Sequence, residues 1–174
     1  MASNALISYI GADKPGLIST LSNFLTEKGG SVGDTTFALL GAGAELNMIY
    51  ELPKGLDYKD LGKEIKKMPE VSDGEVKVTD FQHKVDRGPS SRITHRIILS
   101  GKDQPGLLAR VTRSLDDHGA NIVRLNTEKL KGSGGDQYIA RFAISLREER
   151  APTCLAAIAN IAVENKLTIR YETA

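Results

Sequence analysis

Two aspartates stand at the same position of a repeated loop, and they are the residues best placed to do chemistry. Gly11-Ala12-Asp13-Lys14-Pro15-Gly16-Leu17-Ile18 returns 90 residues later as Gly101-Lys102-Asp103-Gln104-Pro105-Gly106-Leu107-Leu108. Each copy follows a short apolar run and leads into a segment of helical periodicity, so Asp-x-Pro-Gly-Leu joins a strand to a helix. Proline fixes one backbone angle, and glycine allows a sharp turn or the close approach of a ligand. The first N–H groups of the helix point outward with the positive end of its dipole behind them, which suits a carboxylate or phosphate. Asp13 and Asp103 are expected to accept hydrogen bonds from these groups or to meet a ligand ammonium. Asn121, at the start of the next strand, is expected to reach the same space. The same loop also reads as an ordinary tight turn in which aspartate caps a helix and nothing binds.

Other reactive side chains form no constellation. His83, His95 and His118 fall in a linker, at a strand start and at a helix end, without metal-ligand spacing. Ser19, Ser22 and Ser114 fall in helices and are expected to be solvated, with no base beside them. Cys154 is the only cysteine. It lies among Leu155, Ala156 and Ala157, so it reads as a packed apolar residue, and it excludes a disulfide framework or thiolate zinc cage within one chain. No metal or cofactor is expected.

The elements that must position the loop read as βαββαβ, twice. In the first copy Leu6–Ile10 forms a strand, and Leu17, Leu21 and Leu25 mark a helix ending at Lys28-Gly29-Gly30. Val32 to Leu40 forms the second strand. Leu46, Met48, Tyr50 and Leu52 alternate along the third; Leu61, Ile65 and Met68 mark the second helix, and Val76 and Val78 the last strand. Lys63-Glu64-Ile65-Lys66-Lys67 reads as a solvated helix face around Ile65.

In the second copy Leu107, Val111 and Leu115 repeat the first helix. The hairpin Lys131-Gly132-Ser133-Gly134-Gly135-Asp136 is longer by about four residues, so Ala140, Phe142, Ile144 and Leu146 match at an offset of 94. Matching alternation through an insertion marks a structural repeat. The expected organisation is a first module over 1–81, a linker over 82–91 and a second module over 92–174. Met1-Ala2-Ser3-Asn4 reads as an untethered start.

The fold class is therefore α+β: two tandem ferredoxin-like units, each an antiparallel sheet with both helices on one face. Leu6, Ile49, Ile98 and Ala143 are expected on the opposite, open face. Edge-to-edge joining of sheets, or a partner over the open face, would protect such units, which implies a homo-oligomer.

Of the 174 residues, 23 are basic and 22 acidic, giving a net charge of +1, so there is no electrostatic footprint for nucleic acid. Aromatics make up 5% of the chain, and Tyr50 and Phe142 fall on the helix-facing side, which excludes a base-stacking RNA module. No apolar run approaches a membrane span, and the N-terminus lacks a charged region before an apolar one, so a soluble, cytoplasmic protein is expected.

The repeated loop, the glycine-rich helix end and Ser31-Val32-Gly33-Asp34 before Leu39-Leu40-Gly41 resemble an ACT domain. The tandem arrangement resembles the family of glycine cleavage system transcriptional repressors. The resemblance implies a non-enzymatic regulatory protein that binds a small amino acid at an interface between paired modules and acts through a protein partner such as a transcriptional regulator. Carried over by position, the ligand-binding residues are Asp13, Pro15, Gly16, Leu17, Ser31 and Val32, with Asp103, Pro105, Gly106, Leu107, Asn121 and Ile122. Asparagine is frequent in the family where this chain has Ser31, so the second copy is expected to be the better site. Two rival readings share the fold. One is an assembly module whose loops are only turns. The other is an acylphosphatase-like hydrolase, which would need an arginine beside the loop, whereas an acid stands in each.

Overall fold

The computed structural model describes residues 3–85, 88–132 and 135–174. Asp86 and Arg87 of the expected linker, and Ser133 and Gly134 of the second hairpin, lie outside the described residues. The chain divides into two compact units, Met1–His83 and Lys84–Ala174.

The first unit runs β1 (Ser3–Ala12), α1 (Leu17–Glu27), β2 (Ser31–Leu40), β3 (Gly43–Leu52), α2 (Tyr58–Ile65) and β4 (Glu75–Asp80). Its antiparallel sheet has the order β2-β3-β1-β4. The second unit repeats this as β5 (His95–Lys102), α3 (Leu107–Asp117), β6 (Asn121–Leu130), β7 (Gln137–Ser145), α4 (Ala151–Glu164) and β8 (Thr168–Thr173), ordered β6-β7-β5-β8. The N-terminal start is tied down sooner than expected: β1 begins at Ser3, which pairs with Leu52. Within the expected linker, Pro89–Ser91 forms a 3-10 turn that packs on β6 and β7.

Each unit has its own core, built from the two periodicities of the sequence. In the first, Leu17, Leu21 and Leu25 of α1 and Leu61 and Ile65 of α2 bury against Ile7, Tyr9, Leu46, Met48 and Tyr50. In the second, Leu107, Val111 and Leu115 of α3 and Cys154 and Ile158 of α4 bury against Ile97, Leu99, Ala140, Phe142 and Ile144. Alternate strand residues thus face the helices, and Leu6, Ile49, Ile98 and Ala143 fall on the opposite face, only partly or scarcely covered. Burial pushes the Cys154 thiol up and leaves it in the un-ionised form.

Of the three helix serines Ser19 is exposed, as expected, and donates its hydroxyl back to Gly16 O, whereas Ser22 and Ser114 are half-buried and so less solvated than expected. His95 is buried at the start of β5, its Nδ1 3.0 Å from Thr94 Oγ1, and His118 Nδ1 lies 2.7 Å from Ser114 O at the end of α3.

Candidate functional site

In the second unit the loop Asp103–Gly106 leaves β5 and enters α3. Gly106 has φ 76° and Gly16 in the first copy φ 89°, the left-handed region that costs other L-residues about 1 kcal/mol or more. A Cβ at Gly16 would meet nothing nearer than 3.9 Å, so backbone conformation and not crowding fixes glycine there. Leu107 N donates to Gln104 O (3.3 Å) and Leu17 N to Lys14 O (3.2 Å), which closes both turns without either aspartate. Neither helix has a side-chain cap, so the capping expected of Asp13 and Asp103 is absent: glycine, with no side-chain acceptor, holds the cap position. The N–H groups of Leu108 and Ala109, like those of Ile18 and Ser19, find no acceptor among the described residues.

The two aspartates differ. Asp103 Oδ2 receives Lys129 Nζ of β6 at 2.7 Å, and Lys129 also approaches Asp136 at 3.4 Å. The hydrogen bond to Asp103, with its charge, raises the Lys129 pKa. Gln104 Nε2 donates to Asn165 O (2.6 Å), and Arg110 reaches Pro105 O (3.2 Å) and Asn165 Oδ1 (2.9 Å). This loop is therefore braced against the end of α4. In the first unit Asp13 is exposed and makes no hydrogen bond or ion pair among the described residues. There Lys14 is taken by Asp73 at 2.8 Å, and its hydrogen bond holds the Asp73 carboxyl below the usual carboxylate range.

A cleft of about 580 Å³ opens beside the second loop, lined by Asp103 to Ala109 with Thr112 and Tyr138. It holds four of the expected residues: Asp103, Pro105, Gly106 and Leu107. Leu107 is 3% exposed and Leu17 2%, so both serve the cores first.

The strand starts lie elsewhere. Ala12 pairs with Gly43 whereas Ser31 pairs with Glu51, and Lys102 pairs with Gln137 whereas Asn121 pairs with Ser145. Eight residues of strand separate each loop from its strand start, about 26 Å. Within one unit Asn121 and Ile122 do not share space with Asp103, nor Ser31 and Val32 with Asp13. The eleven-residue helix between them carries the chain to the far end of the sheet. Asn121 instead donates its Nδ2 to Ser90 O at 2.7 Å, and Ser31 is exposed. Sequence reasoning missed Lys129, Gln104, Thr112 and Tyr138. The available signal was the pair Lys129 and Asp136 flanking the longer hairpin, which brings both back to the loop.

Fold and loop together define tandem ferredoxin-like modules with a helix-start cleft in the second. Residues 95–162, within the second unit, match the family model for the ACT domain, and the first unit repeats the element order and sheet of the second. A crystal structure of an unknown protein from Galdieria sulphuraria superposes with a TM-score of 0.77 at 19% identity, over 100% of this chain and 99% of that one. A proposed glycine cleavage system transcriptional repressor superposes with a TM-score of 0.71 at 12% identity, over 100% and 98% of the two chains. At these identities the likeness is one of fold, and it spans both units. No curated protein matches the sequence. Among the described residues no cluster of acids, histidines and cysteine could hold a metal ion, and no helix is long and apolar enough to cross a membrane.

Proposed function

We propose that this chain is a non-enzymatic regulatory protein that binds a small amino acid at an interface between ACT-type modules and acts through protein contacts, and that its role resembles that of a glycine cleavage system transcriptional repressor. The observation that carries the reading is the cleft at the repeated loop of the matched domain, where two N–H groups without acceptors stand beside a carboxylate. The ligand carboxylate takes the Leu108 and Ala109 N–H groups at the positive end of α3. Its ammonium shares Asp103 with Lys129. Asn121 and Ile122 belong to such a site only as the contribution of a neighbouring module, because their own loop is about 26 Å away. A ligand that spans two modules favours the arrangement in which they meet, and a partner protein reads that arrangement. The chain then works as a homo-oligomer. We take its setting to be the cytoplasm, where a lone reduced thiol such as Cys154 is the usual state.

A second reading has its own support: the left-handed glycines and the Asp103–Lys129 pair account for both loops without a ligand. On that reading the chain is an assembly module. Thermal-shift screening against the common amino acids separates the two. Ligand sensing predicts a concentration-dependent rise in Tm for at least one of them; a flat response across the set supports assembly alone. If one binds, Asn121→Ala should weaken it more than Ser31→Ala.

A further inference from the structure

The open faces of the two sheets carry opposite charge. On the first unit, cross-strand pairing sets Ala38, Glu45, Ile10 and Glu75 in one row, with Glu51 in a further row, against Lys77 in a third. These rows hold no ion pair among the described residues. On the second unit one row is Asn126, Arg141, Ile98 and Arg170, and the next is Arg124, Ala143, Arg96 and Glu172. Lys102 lies beyond them, opposite Gln137. Arg141 pairs with Glu128 (2.6 Å) and Arg96 approaches Glu172 (3.8 Å), while Lys102, Arg124 and Arg170 make no ion pair among the described residues. The first face is therefore acidic and the second basic. Each also presents apolar side chains: Ile10 is 62% exposed on the first and Ile98 38% on the second.

We propose that these faces dock on each other between two copies of the chain, the acidic sheet of one copy on the basic sheet of the other. Like faces repel, so the charge pattern selects the unlike pairing. A two-fold axis lets each copy use both of its faces at once and closes the assembly as a dimer. Four strands about 4.8 Å apart and about five residues long give roughly 300 Å² per face, so four covered faces bury on the order of 1,300 Å². That reaches the range of a standard stable interface, which begins at about 1,200 Å². Single-stranded RNA fits the basic face less well, because its paired rows hold no aromatic residue on which a base could stack. The dimer does not rest on the ligand reading.

The test uses two full-length variants. Glu51→Lys with Glu75→Lys makes both faces of one variant basic; Arg124→Glu with Arg170→Glu makes both faces of the other acidic. All four positions are exposed, and circular dichroism checks that each variant folds. By light scattering the wild type should weigh two chains and each variant one. An equimolar mixture of the variants should return to two, since each basic face then meets an acidic one. The mixture keeps the proposal open to refutation even if one variant is less stable. Variants that stay dimeric alone overturn it, because the interface then lies elsewhere. A mixture that stays monomeric overturns it as well. So does single-stranded RNA that binds the wild type and is lost with the Arg124 and Arg170 changes while the mass stays constant.

Discussion

The first helix ends differently in the two units, and the difference shows how one topology tolerates two chemistries. In the first unit the Tyr50 hydroxyl donates to Leu25 O (2.8 Å) and accepts from Gly30 N (3.0 Å), bridging the end of α1 to the start of β2. Burial pushes the Tyr50 phenol up, so it stays a donor through neutral pH. In the second unit Ile144 stands where Tyr50 does, and Ala120 N donates directly to Leu115 O at 2.9 Å. Gly30 and Ala120 follow from this. A Cβ at Gly30 would lie 2.3 Å from the Tyr50 hydroxyl and from Glu51 O, so the first unit keeps glycine there, whereas the second unit, with no phenol at Ile144, carries Ala120. Helix-end chemistry is thus exchanged as a set.

The largest expected effect breaks that set. Gly30→Ala should destabilise the first unit by about 3 kcal/mol through overpacking, and adding Tyr50→Ile should recover only part, because Glu51 O stays in place. Amide exchange in β1 and β3 against denaturant reads the loss, and unchanged protection would contradict the comparison. Tyr50→Phe comes next, at about 1–3 kcal/mol, since it leaves a buried carbonyl and an N–H without a partner. The matching Ile144→Val in the second unit should cost about 1 kcal/mol and leave the first unit untouched.

The smallest effect concerns pH. Lys14 holds the Asp73 carboxyl below its unfolded value, so this contribution is present above about pH 4 and fades as pH falls through the lowered pKa. Lys14→Met should remove that part of the acid dependence in the first unit. The pair is exposed and the change small; a Lys14→Met acid-unfolding curve that overlays the wild type would remove Asp73 from the account.

Much of the fold was legible because burial followed period. Leu17, Leu21 and Leu25 recur at helical spacing, and Leu46, Met48, Tyr50 and Leu52 alternate, and all are buried. The change of offset from 90 to 94 placed the longer hairpin correctly on either side of Ser133 and Gly134. The loops were legible as turns but not as a pair of unequal sites. Lys129 lies 26 residues from Asp103, and only the return of β6 toward β7 brings them to 2.7 Å. The separation of Asn121 from its own loop was readable in principle, since an eleven-residue helix spans about 16 Å and must deliver the chain to the other end of the sheet. Type and position in a motif did not carry that three-dimensional fact.

The unequal loops also give the most direct test of the ligand reading. With the amino acid that stabilises the protein most, titration calorimetry should show saturable binding to the wild type. Asp13→Asn should leave that affinity nearly unchanged, and Asp103→Asn should weaken it by roughly 10- to 100-fold, the loss of one charge-assisted hydrogen bond. Equal weakening by both substitutions, or no saturable heat from any common amino acid, would contradict the account.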